Sequence, residues 1–134
     1  MGAYSPTPFV TPEIHDAIMV QIILPTVAGM KARGTPYRGV LYAGVMLTNE
    51  GPKLFEYNVR FGDPETQAIL VRLKSDLFKI FHATIEGNLR NVSVEWNNQS
   101  SACVVLASAG YPGPYETGVA IKGLDQITTN NELQ

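Results

Sequence analysis

Charge of one sign is what this sequence most plainly lacks. Charged residues make up 16% of the chain, 10 Lys and Arg stand against 12 Asp and Glu, and the net charge is −2. The signs are interspersed, so no basic stripe is offered to nucleic acid and no polybasic run to an anionic membrane. Long apolar runs are missing too. The longest, around Ile22–Pro25, falls far short of the ~20 residues that a spanning helix needs. The N-terminus has neither the charged region nor the apolar segment of a signal peptide. Cysteine occurs once, as Cys103, which excludes an intrachain disulfide. Cys103 lies in SACVVLAS, an apolar run that reads as a buried strand, where a thiol acts as a small hydrophobe. No nucleophile–base constellation surrounds it. A lone thiol suits a reducing compartment, the cytoplasm.

What is present suffices for one ordinary domain. The chain has 134 residues and 45% hydrophobic content. A chain of that length is expected to bury about two-thirds of its unfolded surface. No internal repeat or low-complexity tract interrupts it.

In chain order, Met1–Pro12 holds three prolines and no period, and reads as irregular. Thr11–Gly34 reads as a helix. Thr11 is placed to cap it, Pro12 to open it and Gly34 to end it. Ile14, Ile18, Ile22 and Met30 give an apolar stripe. Pro25 is expected to kink or divide the helix, because it removes a bond to the Gln21 carbonyl. Gly39–Thr48 is apolar on both faces and reads as a strand covered on both sides. Gly44 within it predicts a close approach by a ligand or another segment. Asn49–Pro52 turns the chain into an antiparallel partner strand, Lys53–Arg60. Asp63 is a cap candidate and Pro64 the first residue of a helix to Leu73. Asp76–Glu86 follows as a second helix, with Leu77, Ile80, Phe81 and Ala83 or Thr84 inward and Gly87 at its end. Asn88–Ser101 reads as a polar, extended connector. Ala102–Ala107 reads as a buried strand, Gly110–Tyr115 as a rigid loop and Gly118–Ile121 as a short strand. Gly123–Gln134 shows no core pattern and is expected to fray. His15 and His82 read as solvated helix residues.

The stretch with the most chemistry is KLFEYNVRFGDPETQ, Lys53–Gln67. Strand alternation puts Glu56, Asn58 and Arg60 on one face, about 6–7 Å apart per step of two residues. Phe55, Tyr57 and Val59 take the other face. A carboxylate and an amide oxygen are hard donors suited to Mg²⁺ or Mn²⁺. An arginine fork suits phosphate or carboxylate. Such a face can hold a metal–nucleotide. It is equally the composition of a solvated sheet face, and spacing does not choose between them. Asp63 likewise reads as a helix cap or as a site residue.

RFGDPETQ at Arg60–Gln67 resembles the signature of the glycinamide ribonucleotide synthetase (phosphoribosylamine–glycine ligase) family, of the ATP-grasp class. MGAYSP at Met1–Pro6, YRGVLYAGVMLT at Tyr37–Thr48, LKSDL at Leu73–Leu77 and ASAGYPGPY at Ala107–Tyr115 resemble the same family in the same order. The likeness thins only after about Leu124.

The resemblance implies a fold and a reaction. The fold is α+β: residues 1–97 as the C-terminal part of an ATP-grasp domain, then 98–134 as the start of a small β-rich domain. The reaction joins glycine to 5-phosphoribosylamine at the expense of ATP, giving glycinamide ribonucleotide, ADP and phosphate through an acyl phosphate. Glu56 and Asn58 match the family's metal ligands for Mg²⁺ or Mn²⁺. Tyr57 stands where Phe is usual. Arg60 and Asp63 match the signature and are assigned to substrate phosphate or acyl phosphate. The residues that contact ATP are not assigned. In the family MGAYSP lies inside the domain, so the chain is expected to be an internal fragment. Its partners would include the missing lobes of the parent, and alone it would be inactive. Two other readings remain: another ATP-grasp carboxylate–amine ligase, or an inactive binding or structural module.

Overall fold

A computed structural model describes residues 1–127. The chain is α+β, with two small antiparallel sheets and helices around them. β1 (Gly2–Ser5) pairs with β4 (Ser101–Val104), and β2 (Tyr42–Thr48) pairs with β3 (Gly51–Asn58). The helices are α1 (Pro12–Ile18), α2 (Leu24–Ala32), α3 (Glu65–Leu70) and α4 (Leu77–Ile85). Residues 128–134, the end of the stretch expected to fray, lie outside the described residues.

The N-terminus is not irregular throughout. Gly2 faces Val104 and Ser5 faces Ser101, and Val105 N–H extends the ladder by donating to Met1 O at 2.9 Å. A strand whose partner lies nearly the whole chain away leaves no local pattern to read. β4 is shorter than the Ala102–Ala107 strand of the sequence and is not buried. Ala102 and Val104 are exposed, and Cys103 is half-buried, not a core thiol. Among the described residues β4 pairs with β1 alone, and its burial alternates, so only one face is covered. Gly118–Ile121 forms no strand.

The first helix begins as its sequence signals. Thr11 Oγ1 accepts from Ile14 N–H, and Pro12 follows at the first position. The hydrogen bond with Thr11, and then a backbone bond, hold the Glu13 carboxyl below its ordinary pKa. Pro25 divides the helix in an unusual way. A π segment, Met19–Ile23, joins α1 to α2, with Leu24 N–H bonded to Met19 O. The wider turn gives the proline ring room that a regular turn denies it. Arg33 ends α2, and Gly34 turns out at φ +80°.

α3 is shorter than expected. Asp63 does not cap it: Pro64 stands at the cap position, at φ −97° and ψ 18°, and the helix opens at Glu65. The carbonyl of Gly62 takes both the N–H and the hydroxyl of Thr66, which closes the first turn from the residue before Asp63. Asp63 instead accepts from Gln67 Nε2 at 3.0 Å. α4 behaves as read. Asp76 accepts from Phe78 N–H at 2.8 Å and Lys79 N–H at 3.2 Å, and Gly87 follows the end at φ +69°. Arg38 reaches back to donate to Ile85 O at 3.0 Å.

The connector Leu89–Gln99 is tied to the turn between α3 and α4. Lys74 N–H donates to Glu95 O at 2.9 Å, and Asn97 N–H to Arg72 O at 2.7 Å. The Arg72 guanidinium then gathers three acceptors: Ser5 Oγ at 2.6 Å, Gln99 O at 2.9 Å and Asn97 O at 3.0 Å. Ser101 Oγ adds a bond to Ala68 O, so α3 is held against both strands of the first sheet.

The core is thin. Ile22, Ala68 and Ala83 are the buried hydrophobic residues among those described. The chain exposes 10708 Å². A closed monomer of its mass exposes about 6,900 Å². The expected two-thirds burial falls to about half of the ~21,000 Å² that an unfolded chain of this mass exposes. The outer part of the hairpin shows why. The strand expected to be covered on both sides leaves Met46 59% and Leu47 40% exposed. An apolar hollow of about 220 Å³ lies between α4 and the connector, lined by Phe61, Leu73, Leu77, Phe81, Val94 and Trp96 among others.

Replacing Arg72 with Ala removes three hydrogen bonds from one charged group. It is expected to lower unfolding stability by about 2–3 kcal/mol, the scale for bonds to charged groups, read from the urea midpoint. Arg72→Lys should restore little, because one ammonium cannot span the three acceptors.

Candidate functional site

The site is built on one irregularity in the hairpin. Gly44 lies opposite Glu56, but the next residue, Val45, lies opposite Leu54. Phe55 is therefore an extra residue, a β-bulge. Gly44 is buried, and a Cβ there would stand 2.7 Å from the Phe55 ring and 3.0 Å from Glu56 Cγ. The close approach predicted at Gly44 is thus made by the neighbouring strand. The absent side chain lets the Glu56 stem lie across β2.

Beyond the bulge the strand alternates again. Glu56 and Asn58 share a face, and Asn58 Nδ2 donates to Glu56 Oε1 at 3.0 Å. Two hard-donor groups therefore converge on one point. Turning the amide over would present its oxygen where the nitrogen stands. Glu56 is exposed and Asn58 half-buried, which leaves the pair open to a ligand. No group of three or more His, Cys, Asp or Glu gathers to hold a metal among the described residues. An all-protein cage is not what Mg²⁺ uses beside phosphates. It takes one or two carboxylates and completes its shell with phosphate oxygens and water. Glu56 and Asn58 fit that role.

The other two residues singled out in the sequence stand apart from this pair. The strand ends at Asn58, so the period-two row does not carry to Arg60. Arg60 is exposed and donates to the carbonyl of its neighbour Phe61 at 3.2 Å. Asp63 is engaged with Gln67.

Two groups join the site that sequence reading did not place there. Tyr42 lies opposite Asn58 across the hairpin. Glu65, at the start of α3, and Glu56 both lie near its hydroxyl. Burial first, and then these carboxylates, raise the Tyr42 pKa above its ordinary value. Glu65 reaches inward because position 62 is glycine: a Cβ there would lie 2.2 Å from Glu65 Oε2. The sequence offered Tyr42 only as part of an apolar strand and Glu65 only as a first-turn acid. The one available signal was the strand pairing itself, which puts position 42 beside position 58.

Two small antiparallel sheets with helices around them make this an α+β chain, consistent with part of an ATP-grasp domain. Residues 1–66 match the family model described as "Phosphoribosylglycinamide synthetase, ATP-grasp (A) domain". Over 131 residues the chain is 52% identical to a phosphoribosylamine–glycine ligase of Allochromatium vinosum, covering 97% of this chain and 31% of that protein. A ligase of the same name from Vibrio vulnificus is 51% identical over 133 residues, 98% of this chain and 31% of its own. That of Vibrio cholerae is 54% identical over 125 residues, 92% of this chain and 29% of its own. The chain belongs to the phosphoribosylglycinamide synthetase family. It spans about 31% of the length of the curated relatives it matches. No helix among the described residues is long and apolar enough to cross a membrane.

A phenol whose pKa is raised on folding binds its proton more tightly folded than unfolded. Tyr42 therefore contributes stability that is fully present below its unfolded value, about 10, and is lost as pH rises through the higher folded value. Glu65→Gln should move the Tyr42 titration, followed by phenolate absorbance, down towards that ordinary value. An unmoved titration would remove Glu65 from the site.

Proposed function

We propose that this chain carries the metal-binding part of the active site of a phosphoribosylamine–glycine ligase. The activity is that of a polypeptide of the relatives' length. In this reading ATP, glycine and 5-phosphoribosylamine are the substrates, and the compartment is the cytoplasm. Residues 1–97 are the end of the ATP-grasp domain, and residue 98 onwards begins the next domain, whose first strand, β4, returns to pair with β1.

The chemistry follows from the substrates. The carboxylate of glycine is a poor electrophile. Its oxygen attacks the γ-phosphorus of ATP, ADP leaves, and a mixed acyl phosphate results. The amine of phosphoribosylamine attacks the acyl carbon, phosphate leaves with the C–O bond's electrons, and the new amide nitrogen loses a proton. Charge builds on the transferring phosphoryl oxygens, so preorganised positive charge is what the site must supply. A bound Mg²⁺ or Mn²⁺ would supply such charge. Glu56 and Asn58 would hold that ion. Arg60, exposed and with no carboxylate partner among the described residues, is available to phosphate or acyl-phosphate oxygens. Asp63, next to it in the turn, is assigned to the same substrate end. No protein nucleophile is needed.

The observation that carries this reading is the convergence of the Glu56 carboxylate and the Asn58 amide at 3.0 Å on the open face of β3. Similarity of about half the residues to proteins named as this ligase supports it.

The test is a chimera. This chain replaces the corresponding residues of the Allochromatium vinosum protein. ADP release that depends on both glycine and phosphoribosylamine is expected. Release with a different acid–amine pair would assign the chain to another ATP-grasp ligase. Within the chimera, Glu56→Gln should lower kcat at least roughly a hundred-fold, the scale on which preorganised charge stabilisation is lost. The 134-residue chain alone is expected to show no turnover.

A further inference from the structure

The residue between the two donor side chains points the other way, and it is not idle. Tyr57 is half-buried, and its hydroxyl lies 2.5 Å from Thr26 Oγ1 and 3.2 Å from Ile22 O. Thr26 Oγ1 in turn donates to Ile22 O at 2.8 Å. Three oxygens thus form a closed triangle. Two of them belong to the helical stretch around Pro25, and Ile22 sits inside the π segment. Ile22 is also one of the few buried hydrophobic residues. The triangle therefore joins β3 to the best-packed point of the first helix.

We infer that Tyr57 is a positioning residue for the metal donors, keying β3 through its hydroxyl to Thr26 and the π segment. The argument rests on the proposed metal role of Glu56 and Asn58. Those two residues flank Tyr57 in sequence, so their Cα atoms cannot move without it. Their own face offers little restraint. Glu56 is exposed, and the partner strand opposite it is a glycine beside a bulge. Hydrogen bonds from the reverse face add to the β2 ladder and the Asn58–Glu56 bond in fixing the separation of the donors. π turns are frequent at functional sites. The phenol ring alone would pack against the helix without a directed bond. The hydroxyl adds direction.

The test measures Mn²⁺ binding by the chain itself, from the paramagnetic broadening of the Asn58 side-chain amide signals as Mn²⁺ is titrated. Tyr57→Phe keeps the ring and removes the oxygen. It is expected to raise the Mn²⁺ concentration for half-effect roughly ten-fold, the low end for groups that orient a metal ligand without touching the ion. Thr26→Val should act in the same direction from the helix side, and Thr26→Ser should restore the unsubstituted value. A purely structural role would lower the unfolding midpoint while leaving Mn²⁺ affinity unchanged well below that midpoint. Tyr57→Phe and Thr26→Val variants that bind Mn²⁺ like the unsubstituted chain would overturn this proposal alone. An unsubstituted chain that shows no Mn²⁺ effect, or one that Glu56→Gln does not weaken, would overturn the metal-site reading and this proposal with it.

Discussion

Arg72 holds together what the chain's order would leave apart. It lies just past α3, and its guanidinium reaches Ser5, Asn97 and Gln99. Those three residues come from the strand at the N-terminus and from the approach to β4. A planar fork with several donors can satisfy acceptors on two segments at once, where a single ammonium could not. No carboxylate competes for it within that contact set. The pairing of β1 with β4, the packing of α3 on both and the course of the connector all converge on this group. With so few residues fully buried, polar bonds of this kind set the arrangement more than a packed interior does.

The candidate site depends on a smaller constraint. Two glycines, Gly44 and Gly62, leave room where a methyl group would collide with a neighbour. At Gly44 the space is taken by Phe55 and the Glu56 stem. At Gly62 it is taken by the Glu65 carboxylate, which thereby reaches Tyr42. The acid, the amide, the phenol and a second acid are brought to one region by two absent side chains and a bulge. The family model covers the stretch that holds all four of these groups. The hairpin and β4 also leave apolar side chains exposed, Met46, Phe55 and Val104 among them.

Local signals carried some elements without loss. Thr11 and Pro12 opened the first helix and Asp76 opened α4, because a cap is a bond between near neighbours. The hairpin was legible for the same reason, two apolar runs around a turn, although β3 already begins at Gly51, inside the Asn49–Pro52 turn of the reading. The placing of Glu56 and Asn58 on one face followed from strand alternation alone. Other readings failed where a distant partner decided. Met1–Pro12 contains β1 because Ser101–Val104 returns to it. Asp63 looks like a cap but is drawn to Gln67, and Gly62 O closes the first turn of α3. Arg60 belongs to the polar row by counting, yet the strand stops at Asn58, so the count no longer applies.

By itself, the sequence determined the family, the hairpin, the starts of α1 and α4 and the placing of Glu56 and Asn58 on one face. Each of these is written in contiguous residues or in a period of two. The tertiary structure alone decided that Tyr42 and Glu65 stand beside that pair, that Tyr57 is anchored to the π segment behind it, and that Arg72 closes the first sheet. These are contacts between residues far apart in the chain. Their energy depends on where a side chain ends in space, and no spacing along one strand or helix records that.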